Sequence, residues 1–246
     1  MRIALLTDIH GNREAFAAVL ADLAARQVDR IAVLGDVVGY GPDPGWCVDR
    51  VMDLVGQGAL CVKGNHDSAI ATPSQSMTAI ARATIDWTRP QLTAGQAAFL
   101  AALPVTVMLD DVLFVHASAN DPSGWIYVTS ERSAMPSFRV STAQVIFCGH
   151  VHVPALFTCD IRGTVRGHRI PMAKPVPLLR SRRWLAVVGS VGQPRDGVAQ
   201  AGYALFDTAL QVLTFRRVAY DCAATAAKLR AAGLPETLAL RLLRGS

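Results

Sequence analysis

The chain has 246 residues, 51% of them hydrophobic, which is enough for a substantial core and excludes a disordered chain. No segment reaches the ~18–20 apolar residues of a membrane span, and five scattered cysteines (Cys47, Cys61, Cys148, Cys159, Cys222) without a CxxC pair argue against a disulfide framework or a zinc knot. The net charge of +5 is local, since residues 161–183 hold Arg162, Arg166, Arg169, Lys174, Arg180, Arg182 and Arg183 and no acid. Such a run reads as a solvated face or as a surface for an anionic partner such as nucleic acid.

The opening stretch MRIALLTDIH has too short an apolar run for a signal peptide, so a cytoplasmic protein is expected. RIALLTD (2–8) is an aliphatic run ending at an acid and predicts a buried strand. NREAFAAVLADLAARQ (12–27) places apolar residues at helical spacing, and DRIAVLGD (29–36) repeats the strand-to-acid pattern. Pro44 can open a second helix running to Gly56, and ALCVKGNHD (59–67) predicts a third strand with a polar end. This β-α-β-α-β order implies a parallel sheet with flanking helices.

Residues 75–102 read as helical with a break at Pro90, and VTVMLDDVLFVHA (105–117) as a hairpin about Asp110 and Asp111. Residues 118–141, rich in Ser, Pro and Asn, read as a long loop or partial cap. Within them Trp125 and Tyr127 either pack the loop or form a lid. Strands are expected near 144–148, 155–160, 184–189, 202–207 and 210–219, with 163–183 as a long hairpin or excursion. Two short helices close the chain, the last starting at Pro235. The expected fold is α/β: one domain over 1–246, with two mixed sheets packed together and helices outside, an αββα sandwich.

Five of the six histidines follow aliphatic runs. His10 follows Asp8 in DIH, His66 follows Asn65 in GNHD, His116 closes VLFVHA, and His150 and His152 close VIFCGHVH; Asp36 closes IAVLGD. His168 stands apart in the basic stretch and is expected to be exposed. Ligands of α/β proteins sit at strand carboxyl ends, so these residues are predicted to share one edge. If the segments stay extended, Asp8 with His10 and His150 with His152 point the same way and form two-armed clamps. Imidazole and carboxylate donors together suit manganese, iron, zinc or nickel, and there are enough of them for two ions. HVH, DIH or GNHD alone is weak evidence; their conjunction at strand ends is not.

DIH (8–10), GD (35–36), GNHD (64–67), His116 and GHVH (149–152), in that order, resemble the calcineurin-like metallophosphoesterase superfamily. GDVVGYGPDP (35–44), GSVGQPRDG (189–197) and AAGLPETLALRLLRG (231–245) resemble a branch of small bacterial and archaeal members. The resemblance implies a hydrolase of phosphate esters, either a phosphodiesterase or a phosphatase, with two divalent transition metal ions. It places Asp8, His10 and His152 on one metal, Asn65, His116 and His150 on the other, and Asp36 across both. It leaves His66 free to protonate the leaving group after a metal-bridging hydroxide attacks phosphorus, with Asp67 orienting the His66 ring. Small-molecule or nucleotide phosphate esters are the expected substrates. Protein Ser/Thr phosphatase and dinucleoside polyphosphate hydrolase activities are enzymatic alternatives, and a non-catalytic nucleic-acid-binding or metal-dependent scaffold is the alternative of another class.

Three further residues are candidates for substrate contact. Arg195 can fork onto phosphate oxygens or pair with Asp196 or a neighbouring loop. Asn12 can approach the site or cap the first helix. Tyr40 can line the pocket or pack its own tight loop.

Overall fold

Side-chain alternation decides the layers. In β1 (Arg2–Leu6), Ile3 and Leu5 face one way and Ala4 and Leu6 the other, and all four are fully buried. A strand buried on both faces needs a packed layer on each side. The computed structural model, which describes residues 1–72 and 77–246, supplies them.

One six-stranded sheet runs in the order β3 (Leu60–Cys61), β2 (Arg30–Val33), β1, β11 (Ala201–Asp207), β12 (Val212–Val218), β9 (Val176–Pro177). The other runs β4 (Thr106–Leu109), β5 (Val112–Val115), β6 (Val145–Cys148), β10 (Arg183–Val187), β7 (Ala155–Cys159), β8 (Val165–His168). Both are mixed. β1, β2 and β3 are mutually parallel, as are β5, β6 and β10, while the remaining pairings are antiparallel. Between the sheets, Ile3, Leu5, Phe206 and Phe215 meet Phe114, Phe147 and Trp184, and Phe147 contacts Phe206 edge-on at 5.1 Å. Truncating such a ring to alanine costs about 3–5 kcal/mol.

The outward faces carry the helices. Ala4, Leu6 and Val33 pack on Phe16 and Val19 of α1 (Arg13–Ala24) and on Val48 and Val51 of α2 (Pro44–Gly56). α3 (Asn65–Ala71), α4 (Ala79–Thr88) and α5 (Ala94–Ala102) extend that layer. Across the molecule, Val115, Ile146 and Leu185 pack on Ala134 and Phe138 of α6 (Glu131–Val140). α7 (Cys222–Ala231) and α8 (Glu236–Arg244) form a hairpin with its own apolar seam, Leu229, Leu238 and Leu242. The expected αββα sandwich is present. Among the described residues no helix is long and apolar enough to cross a membrane.

Two local expectations need correction. The third strand ends at Cys61, and GNHD instead starts α3, with Gly64 as its cap. Residues 131–140 of the expected loop are α6, where Ser130 caps the Ser133 amide and Pro136 sits inside the helix. Serine and proline there read as breakers, but the apolar face formed by Ala134 and Phe138 outweighs them. Helix is found over 79–88 and 94–102; residues 75 and 76 of the predicted helical stretch lie outside the described residues.

Candidate metal centre

The carboxyl ends of β1, β2, β3, β5 and β6 deliver Asp8, Asp36, Asn65, His116, His150 and His152 to one edge, with His10 and His66 beside them. The segments do not stay extended. Asp8 (φ 52°), His10 (50°), Asp36 (53°), His150 (68°) and His152 (64°) are all left-handed. Asp8 and His10 still converge, with Asp8 Oδ1 3.7 Å from His10 Nε2, but through bends after the strand rather than pleating, while His150 and His152 turn to different candidate groups. Gly149 shows how tight the packing is, since a Cβ there would run into the Thr7 hydroxyl and the Asp8 carboxylate.

The histidines are held from behind. His10 Nδ1 donates to the Val38 carbonyl at 3.1 Å, His116 Nδ1 to Leu34 at 2.7 Å and His152 Nδ1 to Gln193 at 2.6 Å. A carbonyl only accepts, so each Nδ1 carries a proton and each ring turns its Nε2 to the centre, which is the nitrogen a metal would take. His10 Nε2 then lies 3.1 Å from His152 Nε2, and His152 Nε2 lies 3.2 Å from Asp8 Oδ1. On the other side, His116 Nε2 lies 3.2 Å from Asn65 Oδ1, 3.2 Å from His150 Nδ1 and 3.3 Å from Asp36 Oδ2. Asp8 Oδ1 is buried without a hydrogen-bond partner. Its second oxygen accepts from Thr7 Oγ1 at 2.8 Å and from the His150 amide at 2.9 Å.

Acceptors facing acceptors in a buried site repel unless positive charge lies among them. The donor set of two carboxylates, one amide oxygen and imidazoles is that of transition metals, so the residues fit divalent metal ions. Their electrostatics agree. Burial opposes ionisation of Asp8, yet the His152 and His10 rings hold its carboxyl well below the usual range. Burial also opposes ionisation of Asp36, but His116 and His66 lower it. Burial opposes protonation of His116, but the Asp36 charge overrides this and raises it to about 9. Burial lowers His150 and His152 to about 4.

His66 packs against Tyr40 at a tilt of 53°, with ring centroids 4.5 Å apart, and meets His10 edge-on at 4.8 Å. Its Nδ1 is buried without a partner in the space left by the absent Cβ of Gly39. Burial lowers its imidazole to about 3. Asp67 does not orient that ring. Its carboxylate accepts the amides of Asp36 at 2.8 Å, Val37 at 2.9 Å, Val38 at 3.3 Å and Gly64 at 2.9 Å. Those amides consume both oxygens, so Asp67 shapes the loop that carries Asp36.

A cavity of about 240 Å³ opens onto the centre, lined among others by His66, His150, Trp125, Tyr127, Tyr40 and Arg195. Tyr127 stacks on His150 at 4.1 Å, and Trp125 approaches His116 at 5.9 Å, so both rings roof the site. Arg195 donates to Gln193 Oε1 and lies 5.6 Å over Tyr40, while Asp196 pairs with Arg217. Asn12 is not a substrate contact. Its Oδ1 caps α1 at the Ala15 amide, and its Nδ2 donates to the Gly192 carbonyl. His168 is exposed. The supporting groups Thr7, Gln193 and the Leu34 and Val38 carbonyls escaped sequence reading. Carbonyls carry no sequence signal, although the pairing of Thr7 with Asp8 was available.

A profile of the calcineurin-like phosphoesterase superfamily domain matches residues 1–210. An uncharacterised protein of Methanocaldococcus jannaschii is 33% identical over 252 residues, covering 99% of this chain and 98% of its own. The crystal structure of a metallophosphoesterase from Sphaerobacter thermophilus is 38% identical and superposes with a TM-score of 0.89, covering 100% of this chain and 99% of that one. A hypothetical protein from Pyrococcus horikoshii shares the fold, with 19% identity, a TM-score of 0.80 and coverage of 100% and 98%. With these matches and the motif blocks gathered at one strand edge, the chain belongs to the calcineurin-like phosphoesterase superfamily.

Proposed function

We propose that this protein hydrolyses phosphate esters at a centre of two divalent transition metal ions. The observation that carries this reading is the buried acceptor cluster itself, because bare ring nitrogens and carboxylate oxygens about 3 Å apart make chemical sense only around cations. Asp8, His10 and His152 would hold one ion, Asn65, His116 and His150 the other, and Asp36 would span both. Bound there, the ions would supply acidified water and positive charge for the phosphoryl group.

The chain's own residues divide the remaining work. Arg195 lines the cavity, where its guanidinium can fork onto a non-bridging phosphoryl oxygen. His66 faces the same cavity. Burial keeps its free ring neutral, and an anionic ester beside it favours the charged form. His66 therefore gains a proton together with the substrate and passes it to the departing oxygen. Tyr40 fixes the ring from the side. Trp125 and Tyr127 exclude water from above and leave a cavity that suits a small diester or nucleotide-type ester better than a folded phosphoprotein. A scaffold without catalysis has no use for His66 in that position.

The test is to strip the protein of metal, restore manganese, iron, zinc or nickel singly, and assay mono- and diesters, phosphopeptides and dinucleoside polyphosphates. Metal-dependent hydrolysis, fastest on small diesters, is expected. No hydrolysis with any metal would sink the reading.

A further inference from the structure

The superfamily match ends at residue 210, and the α7–α8 hairpin begins at Cys222. One face of this hairpin meets three loops that carry site residues. The Thr225 hydroxyl, fully buried, lies 3.1 Å from Asn12 Oδ1 and 3.0 Å from Glu14 Oε2. Lys228 Nζ donates to Glu14 Oε1 at 2.5 Å and to Asp43 Oδ2 at 2.9 Å. Tyr40 packs on the hairpin's apolar seam. The Gly197 amide donates to the Gly245 carbonyl at 2.7 Å, two residues past Arg195.

These contacts favour one side of the centre. Asn12 follows His10 by two residues and donates to the Gly192 carbonyl, and the next carbonyl, Gln193, holds His152 Nδ1. The Asp43 amide donates to the Gly11 carbonyl, next to His10. A continuous path therefore runs from Lys228 and Thr225 to His10 and His152. Among the described residues the hairpin makes no hydrogen bond to a candidate ligand itself; its side chains bond Asn12, Glu14 and Asp43, which lie beside His10 and not beside Asn65, His116 or His150. That side is covered instead by Trp125 and Tyr127.

We infer that the C-terminal hairpin is a selective support for the Asp8–His10–His152 half of the centre, with Lys228 as its positioning residue. This rests on the two-metal reading above. The supporting groups behind metal ligands set ligand orientation, and their loss weakens metal binding by about 10–100-fold. Removing the hairpin's tether should therefore make the two metal sites unequal.

The test is calorimetric titration of the metal-stripped protein with manganese, with no substrate present. Wild type should bind in two steps. Lys228→Met should weaken one step by about tenfold and leave the other within about twofold, and Lys228→Arg should retain both. His10→Ala should abolish the step that Lys228→Met weakens, and His116→Ala the other. If Lys228→Met does not fold, Thr225→Val removes the hydroxyl at Asn12, keeps the ion pair, and should give the same one-sided loss. Two unchanged steps, or equal weakening of both, would overturn the inference alone. No metal uptake by wild type would overturn the metal reading and the inference with it.

Discussion

Asp67 accepts the backbone amide of Asp36 at 2.8 Å, and through this bond a residue on α3 sets the loop that presents the Asp36 carboxylate to the candidate centre. The adjacent amides of Val37 and Val38 close on its other oxygen. Asp67→Asn would turn an NH₂ group towards at least one amide and leave that donor unpaired, at a cost of about 1–3 kcal/mol. The expected result is a lower melting temperature and weaker metal retention, with an unchanged dependence on leaving-group basicity. The alternative role as orienter of His66 makes the opposite forecast, with full metal content and altered leaving-group dependence. Metal analysis and a series of aryl esters separate the two.

His66 can be tested at its own position and at the glycine beside it. His66→Ala should keep both metals and lose about 10²–10⁴ of turnover, most on alkyl esters and least on nitrophenyl esters. Gly39→Ala places a Cβ against His66 Nδ1 at a backbone φ of 84°, so it should displace the ring without touching a ligand. Its turnover should fall in the same leaving-group pattern. Equal losses on both ester classes in either variant would count against the proton-donor role.

The buried histidines give the chelated protein a stability maximum. Burial lowers His66 to about 3 and His150 and His152 to about 4, against an ordinary value of 6.5. Their contribution is present above pH 6.5 and is lost as pH falls through 4 and then 3, because the unfolded chain binds the protons that the fold excludes. His116 has the opposite sign. Raised to about 9 by Asp36 against burial, it contributes fully below pH 6.5 and loses that contribution as pH rises through 9. Melting temperatures with chelator present should therefore fall on both sides of neutrality, and His116→Gln should flatten the alkaline side. A melting temperature that climbs steadily to pH 10 would contradict this balance.

Much of the candidate site is legible in the sequence because its candidate ligands sit in short blocks that end aliphatic runs. Asp8, Asp36 and His116 need no more than a strand's length and direction to be placed. What the sequence hides are groups whose role is set by the chain's turns. Asp67 reads as the natural partner of His66, yet the helix starting at Asn65 swings its carboxylate under Asp36. Asn12 offered two readings, and helix geometry selects the cap. α6 is masked by its serines and Pro136, because its reason for being helical is a β-sheet face assembled from strands on both sides of it in the sequence.

The left-handed backbones of Asp8, His10, Asp36, Tyr40, His150 and His152 have an evolutionary consequence. For residues other than glycine this conformation costs roughly 1–2 kcal/mol each, and these six gather at the candidate centre. Glycine at any of these positions would relax the chain. Selection for thermal robustness alone would therefore erode the centre first, drifting towards glycine in DIH, GD and GHVH. A homologue that has given up chemistry but kept the fold should melt higher and carry glycines where this chain keeps its aspartates and histidines.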